Sequence, residues 1–295
     1  MKYRHILYTT LSIMTSLLTA CSEEQETSNI DNDKKILSFS VIHPSQTRAT
    51  ETAFEQGDNI GVYVADAQKV LEIGGNVVNN EKLTLSGNDW TTSAPIYWND
   101  GTYNVYAYYP YMTTITSIDY QPFSISTDQS TEKAGSRLGG YEASDLLFAQ
   151  TKDVKATNSP VNLTFSHIMS KLKIRLVKGE DYEGEMPKNA KVYIHSTLTS
   201  ASIDLAAGIA TPDSRKPRQI IKAHKDDDYI YSAIIVPQRI DGQLPLVEVV
   251  MNGISYLYEG RFVFKQGTQH YINLIISTTP EHNTIAINGS SKKWD

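Results

Sequence analysis

From Ile36 to Ile287 the chain reads in short runs in which apolar, β-branched and aromatic residues recur at every second position. Gly, Asn, Asp or Pro interrupts each run after about ten residues. In an extended strand successive side chains point to opposite faces, so this period predicts an all-β protein. Strands are expected at 36–42, 59–65, 82–85, 103–109, 118–125 and 145–149 in the first half. The second half offers 161–177, broken or bent within, then 190–195, 202–205, 229–236, 246–251, 255–259, 269–276 and 284–287. No long amphipathic helical stretch interrupts them. Asn252-Gly253, between two such runs, tolerates positive φ at both positions and predicts a two-residue hairpin turn. The polar segment Thr151–Pro160 separates roughly equal sets of strands, which predicts β-sandwich domains at 36–155 and 156–295, each of a size one core can fill. Gly135–Gly140 and the charged Pro212–Pro217 read as loops.

Ahead of the strands, Lys2 and Arg4 precede an apolar stretch that ends in Leu18-Thr19-Ala20-Cys21. This order is that of a secretory signal peptide, residues 1–20, and the apolar run is too short and too interrupted by Thr and Ser to span a bilayer. The boundary resembles the lipobox of bacterial lipoproteins, which implies that Cys21 carries the lipid. A structural cysteine is the bland alternative, set against a sole cysteine at the one cleavage-competent boundary. Two or more acyl chains would hold the protein firmly on its membrane. Residues 21–35, polar and acidic with little apolar content, are expected to form a flexible tether.

Composition narrows the function. The 295 residues carry 27 basic and 33 acidic side chains, a net charge of −6. Loss of the signal removes Lys2 and Arg4, leaving 25 basic against 33 acidic and a charge of −8. That sign argues against a nucleic-acid partner. A single cysteine excludes a disulfide framework within the chain and any multi-cysteine metal site. Ser170 and Lys173 have the spacing of an acylating Ser-x-x-Lys pair, but their flanks alternate as a strand, which points them to opposite faces. The histidines are scattered, Asp226-Asp227-Asp228 lacks the ligand alternation of a calcium loop, and no phosphate loop or nucleophile elbow occurs. Neither an enzyme, a cofactor nor a metal is expected. Tyrosine supplies 18 of the aromatic residues, and several crowd between Tyr97 and Tyr111. They suit half-buried strands with one wet end; an exposed row that stacks on sugars is the alternative.

Several blocks together resemble the fimbrillin-like family, the subunits of type V pili. They are Thr47-Arg48-Ala49 followed by Phe54-Glu55-Gln56-Gly57-Asp58-Asn59-Ile60-Gly61-Val62-Tyr63, then Ser144-Asp145-Leu146-Leu147-Phe148-Ala149, the run Leu163–Leu172, and Gly267-Thr268-Gln269-His270-Tyr271. Their order and spacing, more than any one block, carry the resemblance along the mature chain. It implies tandem sandwiches of transthyretin-like or Greek-key type behind a lipoprotein signal.

The resemblance also implies a mechanism. In Ile36–Ile42, Leu37, Phe39 and Val41 share one face, and as a plug in the first sandwich they would contribute about 5–9 kcal/mol at 1.5–3 per buried side chain. An arginine-specific protease would cut the following turn between Arg48 and Ala49, releasing anchor and plug together. The exposed groove would take a donor strand from a neighbouring subunit, and head-to-tail donation builds a filament. The expected donor is the carboxy-terminal segment with Ile285, Ile287 and Trp294, although Asn288–Lys293 is polar. The expected partners are other pilus subunits, the protease and the outer membrane through lipid on Cys21. The location passes from outer-membrane lipoprotein precursor to surface fimbria. The rival reading is a tip adhesin or anchored lipoprotein that holds glycan or host protein.

Overall fold

The computed structural model describes residues 34–44, 53–278, 284–286 and 290–294. Strands dominate, and the only helical turn among the described residues is the 3-10 turn Glu142–Ser144. Six strands form an antiparallel sheet in the order Ser166–His167, Leu147–Lys155, Thr102–Tyr109, Asn59–Asp66, Val78–Ser86 and Asp89–Thr91. Along Asn59–Asp66 the two-residue period sends Ile60, Val62 and Val64 into a first core and Tyr63 and Ala65 into a second. Thr102–Tyr109 does the same, with Val105 and Ala107 on one face and Tyr106 and Tyr108 on the other. The two central strands are therefore buried on both sides, and alternation there sorts residues between two cores rather than between core and water.

The second core fills the space between two further sheets. One runs His224–Asp227, Ile230–Ile235, Ser170–Lys178, Thr268–Ile276, with Thr284–Ala286 and Ser291–Lys293 both added to the far edge of Thr268–Ile276. The other runs Arg218–Lys222, Lys191–Leu198, Gln238–Met251, Ile254–Phe264. Leu172, Ile174 and Leu176 from the first of these sheets, and Val192, Ile194, Val247 and Val249 from the second, are all buried in it. Asn252 and Gly253 turn the long hairpin with φ of 50° and 78°, the conformation expected of them.

Two expectations shift. The first core does not end at Thr151–Pro160: Leu147–Lys155 is a strand through half of that segment, and Val161, Leu163 and Phe165 beyond it are buried in the first core. The change of core comes after His167. In the other direction Gln121–Ser124, expected in the first domain, pairs with Ser200–Asp204 of the second half. Polarity at 151–160 marks an exposed strand end and turn, which composition alone does not distinguish from a linker. Residues 35–295 form one compact unit. The short strands Asp89–Thr91, Ile96–Trp98, Ile209–Pro212, Arg218–Lys222, His224–Asp227 and Ser291–Lys293 were not among the expected ones, because three to five residues give too little alternation to stand out.

Candidate functional site

The segment expected as one strand, 36–42, is two strands that change partner at Ser38. Lys35–Leu37 pairs antiparallel with Ile96–Trp98, and Phe39–Ile42 pairs parallel with Val161–Thr164. Ser38 O accepts from Val161 N at 2.8 Å, Ile42 O accepts from Phe165 N at 2.9 Å, and Ile36 N donates to Asn158 Oδ1 at 3.0 Å. Lys35 forms an ion pair with Asp100. Leu37, Phe39 and Val41 turn toward the first core while Ile36 and Ile42 are each 50% exposed. Only Leu37 is fully buried; Phe39 and Val41 pack against the core but stay partly exposed. Counting those two at half weight lowers the expected contribution to about 3–6 kcal/mol.

The ladder arrangement matters more than the side chains. Among the described strands Ile96–Trp98 has no partner but Lys35–Leu37, and Val161–Thr164 none but Phe39–Ile42. Removing residues 35–42 would strip two separate strands of their backbone partners and uncover one side of the first core.

At the end of this segment lies a cluster of rings. His43 meets Phe54 edge-on at 4.9 Å, and Phe54 in turn meets Trp90, Tyr109 and Phe165 at 5.1–5.5 Å. His43 also approaches His167 at 6.1 Å. His167 Nδ1 lies 2.8 Å from Asp145 Oδ1, and Trp294 stacks on the imidazole with centroids 3.7 Å apart and planes 6° from parallel. Beside the cluster a cavity of about 80 Å³ is lined in part by His43, Glu55, Asp58, Lys133, Glu142 and Asp145. Lys133 neutralises part of this acidity, 2.7 Å from Glu55 and 3.8 Å from Asp58. Burial pushes the Asp58 carboxyl up, against the opposing pull of the Glu55 N–H and Lys133. Burial holds His43 below the usual histidine value, opposed by its bond to Pro44 O and by Asp145.

Members of the four blocks singled out in the sequence thus lie close in space: Phe54 meets Phe165, Asp145 meets His167, and Gly267 passes behind His167. Gly267, at φ 58°, is a position only glycine fills well: a Cβ there would lie 3.0 Å from His167 O. Gly61 has a different reason, since a Cβ would meet the Tyr108 ring at 2.4 Å.

The arrangement holds strands, and the Ser170 and Lys173 side chains, set apart by the sequence, are engaged elsewhere. Ser170 donates to Thr268 O at 3.3 Å, and Lys173 is paired with Asp226 at 3.0 Å. No group of three or more His, Cys, Asp or Glu among the described residues is placed to bind a metal. Trp98, Tyr103, Tyr106, Tyr108 and Tyr109 are buried, so the aromatic run is no sugar-binding row; in it only Tyr97, 49% exposed, is largely open to solvent. Ile285 sits opposite Leu274 in a ladder of its own subunit, and Trp294 is 6% exposed. The site at His167 and Trp294 was not anticipated. No periodicity signals it, because it joins a two-residue strand to the last tryptophan. Cys21, Arg48, Ala49 and Ile287 lie outside the described residues.

A family model described as fimbrillin-like matches residues 47–294. The chain belongs to the fimbrillin-like family. Membership carries a pilus-type structural or adhesive role rather than a catalytic one. Among solved structures, this fimbrillin-like chain is similar to a candidate cell adhesion protein from Bacteroides ovatus, with TM-score 0.68 and 23% identity over 89% of this chain and 98% of that one. A second candidate cell adhesion protein, from Bacteroides uniformis, gives 0.67 and 20% over 90% and 100%. The tip fimbrial protein Mfa3 from Porphyromonas gingivalis, truncated at its carboxy terminus, gives 0.51 and 9% over 88% and 100%. At these identities the likeness is one of fold. Among curated proteins none matches the sequence significantly.

Proposed function

We propose that the chain is a subunit of a surface fimbria, exported as a lipoprotein precursor held by lipid on Cys21. Cleavage after Arg48 removes the tether and residues 35–44, and the subunit then joins its neighbours by accepting a donor strand. The observation that carries this reading is that residues 35–42 are the sole ladder partner of two strands among the described residues and cover the first core with Leu37, Phe39 and Val41. Arg48 lies in the stretch between Pro44 and Ala53, directly after this strand. A segment of a neighbour with large apolar side chains at alternating positions, as at Ile285 and Ile287, satisfies the slot this strand leaves. The carboxy-terminal segment with Ile285, Ile287 and Trp294 is the donor of the next unit along.

Arg48→Ala tests this in the native host. It should leave a membrane-held monomer where the unaltered chain enters SDS-resistant multimers; unchanged multimers in the variant would overturn the cleavage step. A second reading is favoured by the engagement of Trp294 in its own subunit. A chain whose carboxy-terminal segment stays docked accepts a strand without giving one, as a tip adhesin that holds glycan or host protein would.

A further inference from the structure

We propose that His167 couples the two strand-holding sites, so that departure of the plug strand loosens residues 290–294. This rests on the reading of residues 35–42 as a removable strand and concerns how its removal is transmitted. The imidazole is 5% exposed and is held from three directions: Asp145 at Nδ1, the His43 ring edge-on, and the Trp294 ring face to face. Two of those three contacts come from the plug strand's end and from the carboxy-terminal segment.

The docking of that segment is built around the same residue. Ser291–Lys293 runs antiparallel to Thr268–His270, and Trp294 N donates to Gly267 O at 2.8 Å. Gly267 in turn donates to Met169 O at 2.9 Å and passes close against His167 O. The Lys171 ammonium lies 5.5 Å from the Trp294 ring and 5.3 Å from that of Tyr141. When residues 35–44 leave, His43 goes with them and Phe54 loses its edge contact. His167 then keeps its Asp145 contact but loses the ring that meets it edge-on, so its plane against Trp294 is held less firmly. A stacked ring needs a fixed plane to stack on, so the grip on residues 290–294 weakens. Coupling of this kind is reciprocal: loss of Trp294 must weaken the plug by the same factor. The consequence is an ordered event in which the groove opens and the segment carrying Trp294 comes free together.

Hydrogen exchange read by mass spectrometry on the full chain tests this at residues 35–44 and 290–294. His43→Ala in the uncut protein, and cleavage at Arg48 with loss of the plug confirmed by mass, should each speed exchange at 290–294 about three- to tenfold, the range for one aromatic contact. Trp294→Ala should speed exchange at 35–44 by a similar factor. In a His167→Gln background, His43→Ala should add nothing at 290–294, which separates transmission through the ring from general loosening. Unchanged exchange at 290–294 in both His43→Ala and the cut, plug-free protein overturns the coupling and leaves strand removal standing. A plug that stays bound after the cut counts against strand removal, and His43→Ala still decides the coupling.

Discussion

The plug segment and the segment Ser290–Trp294 look alike: each is short and hydrogen-bonded to strands distant in sequence, with one deeply buried side chain, Leu37 at 5% and Trp294 at 6% exposure. They differ in what depends on them. Residues 35–42 supply the only ladder partner of two strands among the described residues and pack over the first core. The carboxy-terminal segment lies on the outer edge of Thr268–Ile276, whose other edge is paired along its whole length with Ser170–Lys178. Removing the first leaves unpaired backbone around an apolar slot; removing the second leaves a sheet already hydrogen-bonded through its centre. Dependence on a strand, rather than its length or burial, marks the one whose loss would leave the more unpaired backbone.

The sharpest way to break the comparison is at the buried side chains. Leu37→Ala should cost about 2–5 kcal/mol of unfolding free energy, as for other core leucines, while Ile36→Ala on the exposed face stays within about 0.5 kcal/mol. Urea denaturation of the full chain reads both; equal effects would mean that the inward face is not what holds the plug. Next in size is the sheet beneath. Gly61→Ala forces a Cβ into the Tyr108 ring, whose hydroxyl is held by Asn80 and Met112 O, and should destabilise by about 1–3 kcal/mol. Trp294→Ala should cost less than the about 3–5 kcal/mol of a tryptophan removed from a closed core, because the last strand can peel away locally without opening the second core. A loss at Trp294 as large as that at Leu37 would erase the distinction between the two ends.

What was legible beforehand follows the range of the forces involved. The turn at Asn252-Gly253 is set by local sterics, and it forms where expected. The inward face of Leu37, Phe39 and Val41 follows from alternation. The change of partner at Ser38 does not, since it depends on strands some 60 and 120 residues away in sequence. The tyrosines of 103–109 gave no sign that both of their faces would be covered, because alternation reads the same whether the second face meets water or another core. Val161–Phe165 belongs to the first core although a polar segment and a proline precede it. His167 and Trp294 meet only because Gly267 lets two distant strands pass closely, a pairing that no local pattern encodes.

The smallest predicted effect separates the two ends by pH. His43 belongs to the plug, and in the folded protein burial lowers its pKa, with His167 acting in the same direction and Pro44 O, Asp145 and Asp58 opposing. A histidine whose folded pKa is lowered binds its proton more readily when undocked. The docked plug therefore has its full stability above the free value of about 6.5 and loses some as pH falls below it toward the lowered folded pKa. Exchange at 35–44 should be faster at pH 5.5 than at pH 7.5 after correction for intrinsic rates, and His43→Asn should remove that difference. Trp294→Ala, which removes the ring stacked on His167, should quicken exchange at 290–294 at both pH values. A pH dependence of the same sign that survives His43→Asn would overturn the assignment to His43; one of reversed sign, with exchange slower at pH 5.5, would point to Asp58, whose raised pKa means that stability is lost as pH rises through that raised value.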